Sequence, residues 1–187
     1  MKAKRFGVWL CTIALSCQLV PAVALAQESS LSGVEVLIEE PLSTSSSDEA
    51  TSYIQIWRLY NPNSGEHFYT WNAGERDLLI KAGWSDEGKG WKASKISLTP
   101  VYRLYNPNGG DHHYTTSAGE RDLLIEAGWR YEGIGWYSDD AKGVAVHRLY
   151  NPNAATGAHH FTTSGGERDL LVKAGWNYEN IGWYGVL

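Results

Sequence analysis

Cysteine is nearly missing from this chain: its two copies, Cys11 and Cys17, both fall within the first 26 residues. Beyond that point no disulfide and no thiolate metal site can form, so stability there must come from packing. Basic charge is also short, with 16 Lys and Arg against 21 Asp and Glu. Three of the basic residues and none of the acidic ones lie in residues 1–26, which leaves the remainder at −8. That sign argues against nucleic acid and anionic membrane surfaces as partners, since both demand basic patches. After the leader no run is apolar enough to span a bilayer. Nucleophile and metalloprotease signatures of the G-x-S-x-G and H-E-x-x-H kind are lacking too.

What is present begins with a leader. Lys2, Lys4 and Arg5 precede an apolar run from Phe6 to Val23, and Ala24-Leu25-Ala26 offers a small-residue cleavage site before Gln27. Residues 1–26 therefore read as a secretory signal peptide, and the product as extracellular or cell-wall associated, with no membrane contact after cleavage. Two rival readings are weaker. Pro21 interrupts the run that a membrane anchor needs, and Ala14 stands where acylation at Cys17 would favour leucine. Residues 27–53 are Ser-rich and acidic and read as a linker, with Val34–Ile38 as one short strand-like stretch.

Residues 54–187 repeat one phrase three times, in copies at 57–101, 102–146 and 147–187. The starts are 45 residues apart, and two extra residues in the third Asn-Pro-Asn loop are the length change. Such a period marks a stacked or closed repeat fold. In the second copy Val101–Tyr105 has strand character, Asn106-Pro107-Asn108-Gly109-Gly110 supplies a turn, and His112–Thr116 extends again. Ser117 with Glu120 forms the pattern of a capping box, as do Asn72 with Glu75 and Ser164 with Glu167. A short helix over 118–127 follows, with Leu123, Leu124 and Ala127 available for burial and Gly128 as its left-handed terminator. Trp129–Glu132 and Gly135–Tyr137 flank a glycine and predict a second hairpin. Four strands per copy give twelve, so the expected fold is all-β with short helices, a β-trefoil-like pseudo-threefold domain. Another closed threefold arrangement and an open solenoid are the alternatives; a solenoid would need distinct capping copies, and these three are alike.

The combined motif R-L-Y-N-P-N, H-x-[YF]-T, G-E-R-D-L-L and A-G-W…G-W, running from Trp57 to Tyr184, resembles a secreted bacterial and fungal repeat family of unknown function. Its members often stand beside cell-wall-active enzymes. The resemblance implies an extracellular accessory module with carbohydrate or cell-wall binding, and supplies no ligand residues.

The residues themselves point the same way. From Tyr53 onward the chain holds eight of its nine Trp and all eleven Tyr. Aromatic faces flanked by Asn, Asp, His and Glu suit a glycan, so a glycan or cell-wall polysaccharide is the expected partner and a secreted protein the second. Trp84, Trp129 and Trp176, and Trp91, Trp136 and Trp183, recur in every copy and are expected in the core, while Arg58, Arg103 and Arg148 are expected to fix loops. Ligand contact is therefore assigned where the copies differ: Trp57, Tyr102 and His147 at the strand start, and Trp71, Tyr137 and Tyr184. The six histidines invite a metal, above all His67, His112 and His159 converging on a threefold axis, but each is expected to share a strand face with Tyr69, Tyr114 or Phe161 and to hydrogen-bond a local loop. Glu75, Glu120 and Glu167 are explained as caps, and Asp77 and Asp169 as surface partners of Lys81 and Lys173. No catalytic residue, metal or cofactor is assigned, and the chain reads as no enzyme, with a protein-interaction or inhibitor module as the second reading and a cell-wall hydrolase as the third.

Overall fold

The computed structural model describes residues 52–187. The leader and nearly all of the linker lie outside them. Each copy runs strand, turn, strand, helix, strand. The first copy comprises β1 (Tyr53–Tyr60), β2 (His67–Thr70), α1 (Ala73–Lys81) and β3 (Ser85–Ser94). The second comprises β4 (Pro100–Asn106), β5 (Asp111–Thr115), α2 (Ala118–Glu126) and β6 (Arg130–Tyr137). The third comprises β7 (Val144–Tyr150), β8 (His159–Thr162), α3 (Gly165–Lys173) and β9 (Asn177–Gly185). In every copy the first strand is central and antiparallel to the other two. The fold is mostly β with three short helices.

Nine strands form among the described residues, not twelve, because the expected second hairpin is a single bulged strand. Opposite β6, Arg103 pairs with Gly133 and Leu104 with Tyr131, so Glu132 is the extra residue. Gly133 sits at φ +100°, Gly88 at +83° and Asn180 at +71°, a left-handed geometry that Gly and Asn tolerate. The glycine that reads as a turn thus bends the strand without reversing it.

One residue per copy builds each layer of the core. Trp91, Trp136 and Trp183 form a triangle whose three ring separations are all 5.8 Å. Beside it, Tyr69, Tyr114 and Phe161 form a second triangle at 5.6, 5.7 and 6.0 Å, and Ile56, Val101 and Val146 fill the same cluster. Side chains of this size each contribute roughly 1.5–3 kcal/mol on full burial. Of the two expected core trios, only this indole trio is buried; Trp84, Trp129 and Trp176 are half-buried, edge-on to Phe68, His113 and His160.

The ends of the last strands meet pairwise and close the arrangement. Ser94 pairs with Tyr137, the Asp139 N–H donates to the Tyr184 carbonyl at 2.9 Å, and Lys92 pairs with Val186. At the loops, the Glu66 carboxylate accepts the His112 N–H at 2.9 Å, and Asp111 accepts the Gly157 N–H at 3.1 Å. The third copy has Ala158 in place of an acid. Its longer loop instead sends the Thr156 hydroxyl to the Ser64 carbonyl at 3.2 Å.

The helices terminate as expected, at Gly83, Gly128 and Gly175, all with φ between +94° and +97°. Trp84, Trp129 and Trp176 each donate their backbone N–H five residues back, at 3.0, 2.9 and 3.0 Å. Burial differs from expectation: Leu124 is half-buried, but Leu123 is 68 % exposed and Ala127 lies at the surface. A nine-residue helix against one strand group covers only one leucine of each Leu-Leu pair, because neighbours sit about 100° apart around the axis.

Candidate functional site

Three clefts lie at the seams between copies, and they are built from equivalent residues. The first, about 200 Å³, takes Thr70, Trp71 and Glu75 from the first copy and Arg103, Glu132 and Trp136 from the second. The second, about 350 Å³, has Thr115, Thr116 and Glu120 facing Arg148, Glu179 and Trp183. The third, about 190 Å³, has Thr162, Thr163 and Glu167 facing Arg58, Glu87 and Trp91, and so joins the last copy to the first.

Each arginine is clamped between two carboxylates. Arg103 Nη1 lies 3.1 and 3.0 Å from the Glu75 oxygens and its Nε 3.0 Å from Glu132. Arg148 reaches Glu120 through both terminal nitrogens, at 2.9 and 2.8 Å, and Glu179 through Nε at 2.6 Å. Arg58 reaches Glu167 at 3.1 and 3.0 Å and Glu87 at 2.8 Å. Glu132 is the bulged residue, so the bulge is what turns its side chain toward the central strand.

The helix glutamates do not complete capping boxes. Asn72, Ser117 and Ser164 do accept the N–H of Glu75, Glu120 and Glu167, at 3.2, 3.2 and 3.1 Å. The reciprocal bond is replaced: the cap N–H of Asn72 donates to the Thr70 hydroxyl at 2.9 Å, and that hydroxyl donates to Glu75 at 2.6 Å. The threonine two residues earlier takes over the cap and frees the carboxylate for the next copy's arginine. Burial would raise the Glu120 carboxyl, but hydrogen bonds from His113, Arg148 and Thr115 outweigh it and hold it well below the usual carboxylate range. Glu167 is held low by the His160 ring beside it, against its own burial, with Thr162 and Arg58 adding. Likewise Asp77 and Asp169 pair with the arginine before them, Arg76 and Arg168, at 2.8 and 2.9 Å, and not with Lys81 and Lys173.

Among the six aromatic positions assigned from sequence, Trp71 and Tyr137 come together. Trp71 is 52 % exposed and lines the first cleft and an adjoining one of about 310 Å³ with Ile54, Ile134, Trp136 and Tyr137. Tyr184 occupies the matching place at the second seam, in a cleft of about 250 Å³ with Thr116, Asp139, Asp140 and Lys142. Trp57, Tyr102 and His147 lie elsewhere. The Arg76 guanidinium covers Trp57 at 4.3 Å and Arg121 covers Tyr102 at 4.5 Å, while His147 Nδ1 is 2.9 Å from the Tyr178 hydroxyl. Trp57 and Tyr102 thus pack under helix arginines and His147 against a neighbouring strand, and an already covered ring offers less face to a ligand.

His67, His112 and His159 do not converge. Each packs on the preceding copy, against His160, Phe68 and His113 at 4.4, 4.7 and 4.4 Å. Their partners are distant in sequence and not local loops: His112 Nδ1 is 2.7 Å from Glu66, and His159 Nε2 is 3.2 Å from Glu179. Burial, with His160 and Arg58 adding, pushes His67 down to about 3, and burial with His113 and Arg148 does the same for His159. Among the described residues no group of three or more His, Cys, Asp or Glu side chains is arranged to hold a metal ion.

Sequence reasoning gave Arg58, Arg103 and Arg148 to loops and Glu75, Glu120 and Glu167 to caps, whereas they pair across the seams, and it passed over Glu87, Glu132 and Glu179. Their signal was identity, with R-L-Y, G-E-R-D and a Glu before the left-handed Gly or Asn in all three copies. No curated protein and no solved structure matches the chain. A family model does, over residues 55–186, the span that builds all three seams. The chain therefore belongs to the family described as a domain of unknown function, DUF5648.

Proposed function

We propose that this chain is a secreted, non-catalytic binding module, trefoil-like in its pseudo-threefold closure, that recognises glycan or cell-wall polysaccharide through its seam clefts. The observation that carries the reading is Trp71, a large ring 52 % exposed at the edge of a cleft floored by polar and charged groups. A sugar presents an apolar face that such a ring can cover, and hydroxyls that Arg, Glu, Thr and Asn can bond. Trp136 adds a buried indole N–H with no acceptor among the described residues. Up to three related clefts on one polymer would gain avidity, by about 10²-fold or more where geometry allows simultaneous engagement. Against catalysis, the Glu120 and Glu167 carboxyls are held low, whereas a general acid at neutral pH needs a raised one. The leader and the acidic balance support secretion and argue against nucleic acid.

The test is sedimentation with insoluble peptidoglycan, chitin, cellulose, mannan and xylan, for the natural chain and for Trp71→Ala. Retention on at least one polymer, lost in the variant, is expected; no retention on any of them removes the reading. A second reading, a module that docks on a secreted protein, has its own observation. Leu78, Leu123 and Leu170 stand 67–68 % exposed on the three helices, an apolar position kept in every copy. Pull-down that survives excess free sugar and is lost in a triple Leu→Ser variant would favour it.

A further inference from the structure

The clefts are equivalent in their charged residues and unequal in the aromatic faces that they expose. Trp71 corresponds to Thr116 at the second seam and Thr163 at the third, so a single seam has a free aromatic face. That ring also belongs to the adjoining apolar cleft, and the two share Ile134, Gly135 and Trp136 as a common floor. A path therefore leads from Arg103, Glu75 and Glu132, across Trp71, to Ile54 and Tyr137.

Neither of the other seams has this continuation in the same form. At the second, the matching cleft around Tyr184 is lined by Asp139, Asp140 and Lys142, with the Lys142 ammonium 5.8 Å over the Tyr184 ring. At the third, Lys92 replaces the tyrosine, its backbone is paired with Val186, and its ammonium lies over Tyr53 at 4.6 Å.

Charge is balanced within the Arg103 half of the path, and Lys95 is the one charged residue lining the other half. Arg103 bonds Glu75 and Glu132, and Arg130 bonds Glu132 again at 2.8 Å, so two cations meet two anions. A neutral ligand fits such a site better than a polyanion or a polycation. The Trp136 indole is 2 % exposed and lines both halves of the path; its N–H lacks an acceptor among the described residues, as do those of Trp91 and Trp183, so this donor is common to all three seams.

Resting on the glycan reading, we infer that recognition is concentrated in one two-part groove centred on Trp71, which holds an internal stretch of a neutral polysaccharide of at least two sugar units. One unit stacks on Trp71 against the Tyr137 side, and its neighbour meets the Arg103–Glu75–Glu132 side. The other two seams share the charged scaffold and serve chiefly to close the domain.

The experiment titrates the full chain with chitohexaose, cellohexaose, mannohexaose and xylohexaose, and with the corresponding monosaccharides, by calorimetry and tryptophan fluorescence. The expected result is one binding event per molecule for at least one hexaose, about tenfold or more tighter than for its monosaccharide. Trp71→Thr, which installs the residue natural to the other seams, should weaken binding at least tenfold with unchanged thermal unfolding. Trp71→Phe should retain most of it. A stoichiometry of two or three, undiminished binding in Trp71→Thr, or equal binding of monosaccharide and hexaose would overturn the groove and leave the glycan reading standing. Retention on insoluble polymers without binding of any hexaose also overturns the groove alone. Silence of both hexaoses and polymers overturns the groove and the glycan reading together.

Discussion

The first and third seams carry the same arginine-between-two-glutamates arrangement, yet one is edged by a free indole and the other by a half-buried threonine. They differ in the interior as well. At the third seam Glu167 has the His160 ring 3.3 Å away, whereas Glu75 has Phe68 at the corresponding place and no such partner. What is shared between them is what joins copies, and the difference at the surface is the residue at the cleft edge, Trp71 against Thr163. Recurrence in a repeat protein therefore marks architecture, and the exception is the better guide to recognition.

Several changes would break or sharpen that comparison. The largest effect belongs to Trp136, which shares the first cleft with Trp71 but stands in the indole triangle. Trp136→Ala should cost about 3–5 kcal/mol of stability, read from urea unfolding. A loss under 1 kcal/mol would mean that the triangle is not the core. Arg103→Ala leaves Glu75 without its cation and Glu132 with Arg130 as its one arginine, and should cost about 2–3 kcal/mol, a value discounted for partial exposure to water. The equivalent Arg58→Ala should match it within about 1 kcal/mol if the seams are structurally alike.

Next in size is a hydroxyl chain. Tyr114 OH accepts the Tyr69 N–H and donates to the Tyr69 carbonyl, at 3.1 and 2.9 Å, and Tyr69 does the same for Phe161, at 2.9 Å both ways. Phe161 cannot continue the circuit to Tyr114. Tyr114→Phe should cost about 1–2 kcal/mol, and Phe161→Tyr should return roughly 0.5–1 kcal/mol by making the third link. A destabilised Phe161→Tyr would show that no space exists for the added oxygen.

Acid should weaken the domain. His67 and His159 titrate near 3 when folded against about 6.5 unfolded, so their neutral forms favour the fold. That contribution is complete above pH 6.5 and declines as pH falls toward 3. Glu120 and Glu167, held low, act with the same sign below the ordinary carboxylate range. Thermal midpoints should thus fall steadily from pH 7 to pH 4, and a flat profile would contradict the burial of these rings. The smallest effect is Trp71→Thr, within about 0.5 kcal/mol of the natural chain, because the ring is surface exposed.

Much of each copy was legible because its logic is local. Asn106 fixes its turn by accepting the Asn108 N–H at 3.0 Å, Ser117 caps, and Gly128 terminates, all within a few residues of one another. The bulge at Gly133 was not, since a left-handed glycine after a strand residue looks the same whether the chain turns back or merely kinks. Glu120 was misread for a related reason. Its spacing from Ser117 suits a cap, and only the placement of Arg148, 28 residues on, shows where its carboxylate goes. Seam partners are non-local by nature, and Trp71, visible as an exception, needed the structure to reveal which exception lay open.

Arg58 of the first copy bonded to Glu167 of the last carries a consequence for copy number. An open array can gain or lose a unit and keep its remaining contacts, provided its ends are sealed by special units. Here the two ends seal each other. Deleting the second copy would take Arg103 from Glu75 and Glu120 from Arg148, and a fourth would have no vertex in an indole triangle. Three is therefore the number of copies at which every arginine of the seams meets a carboxylate of its neighbour.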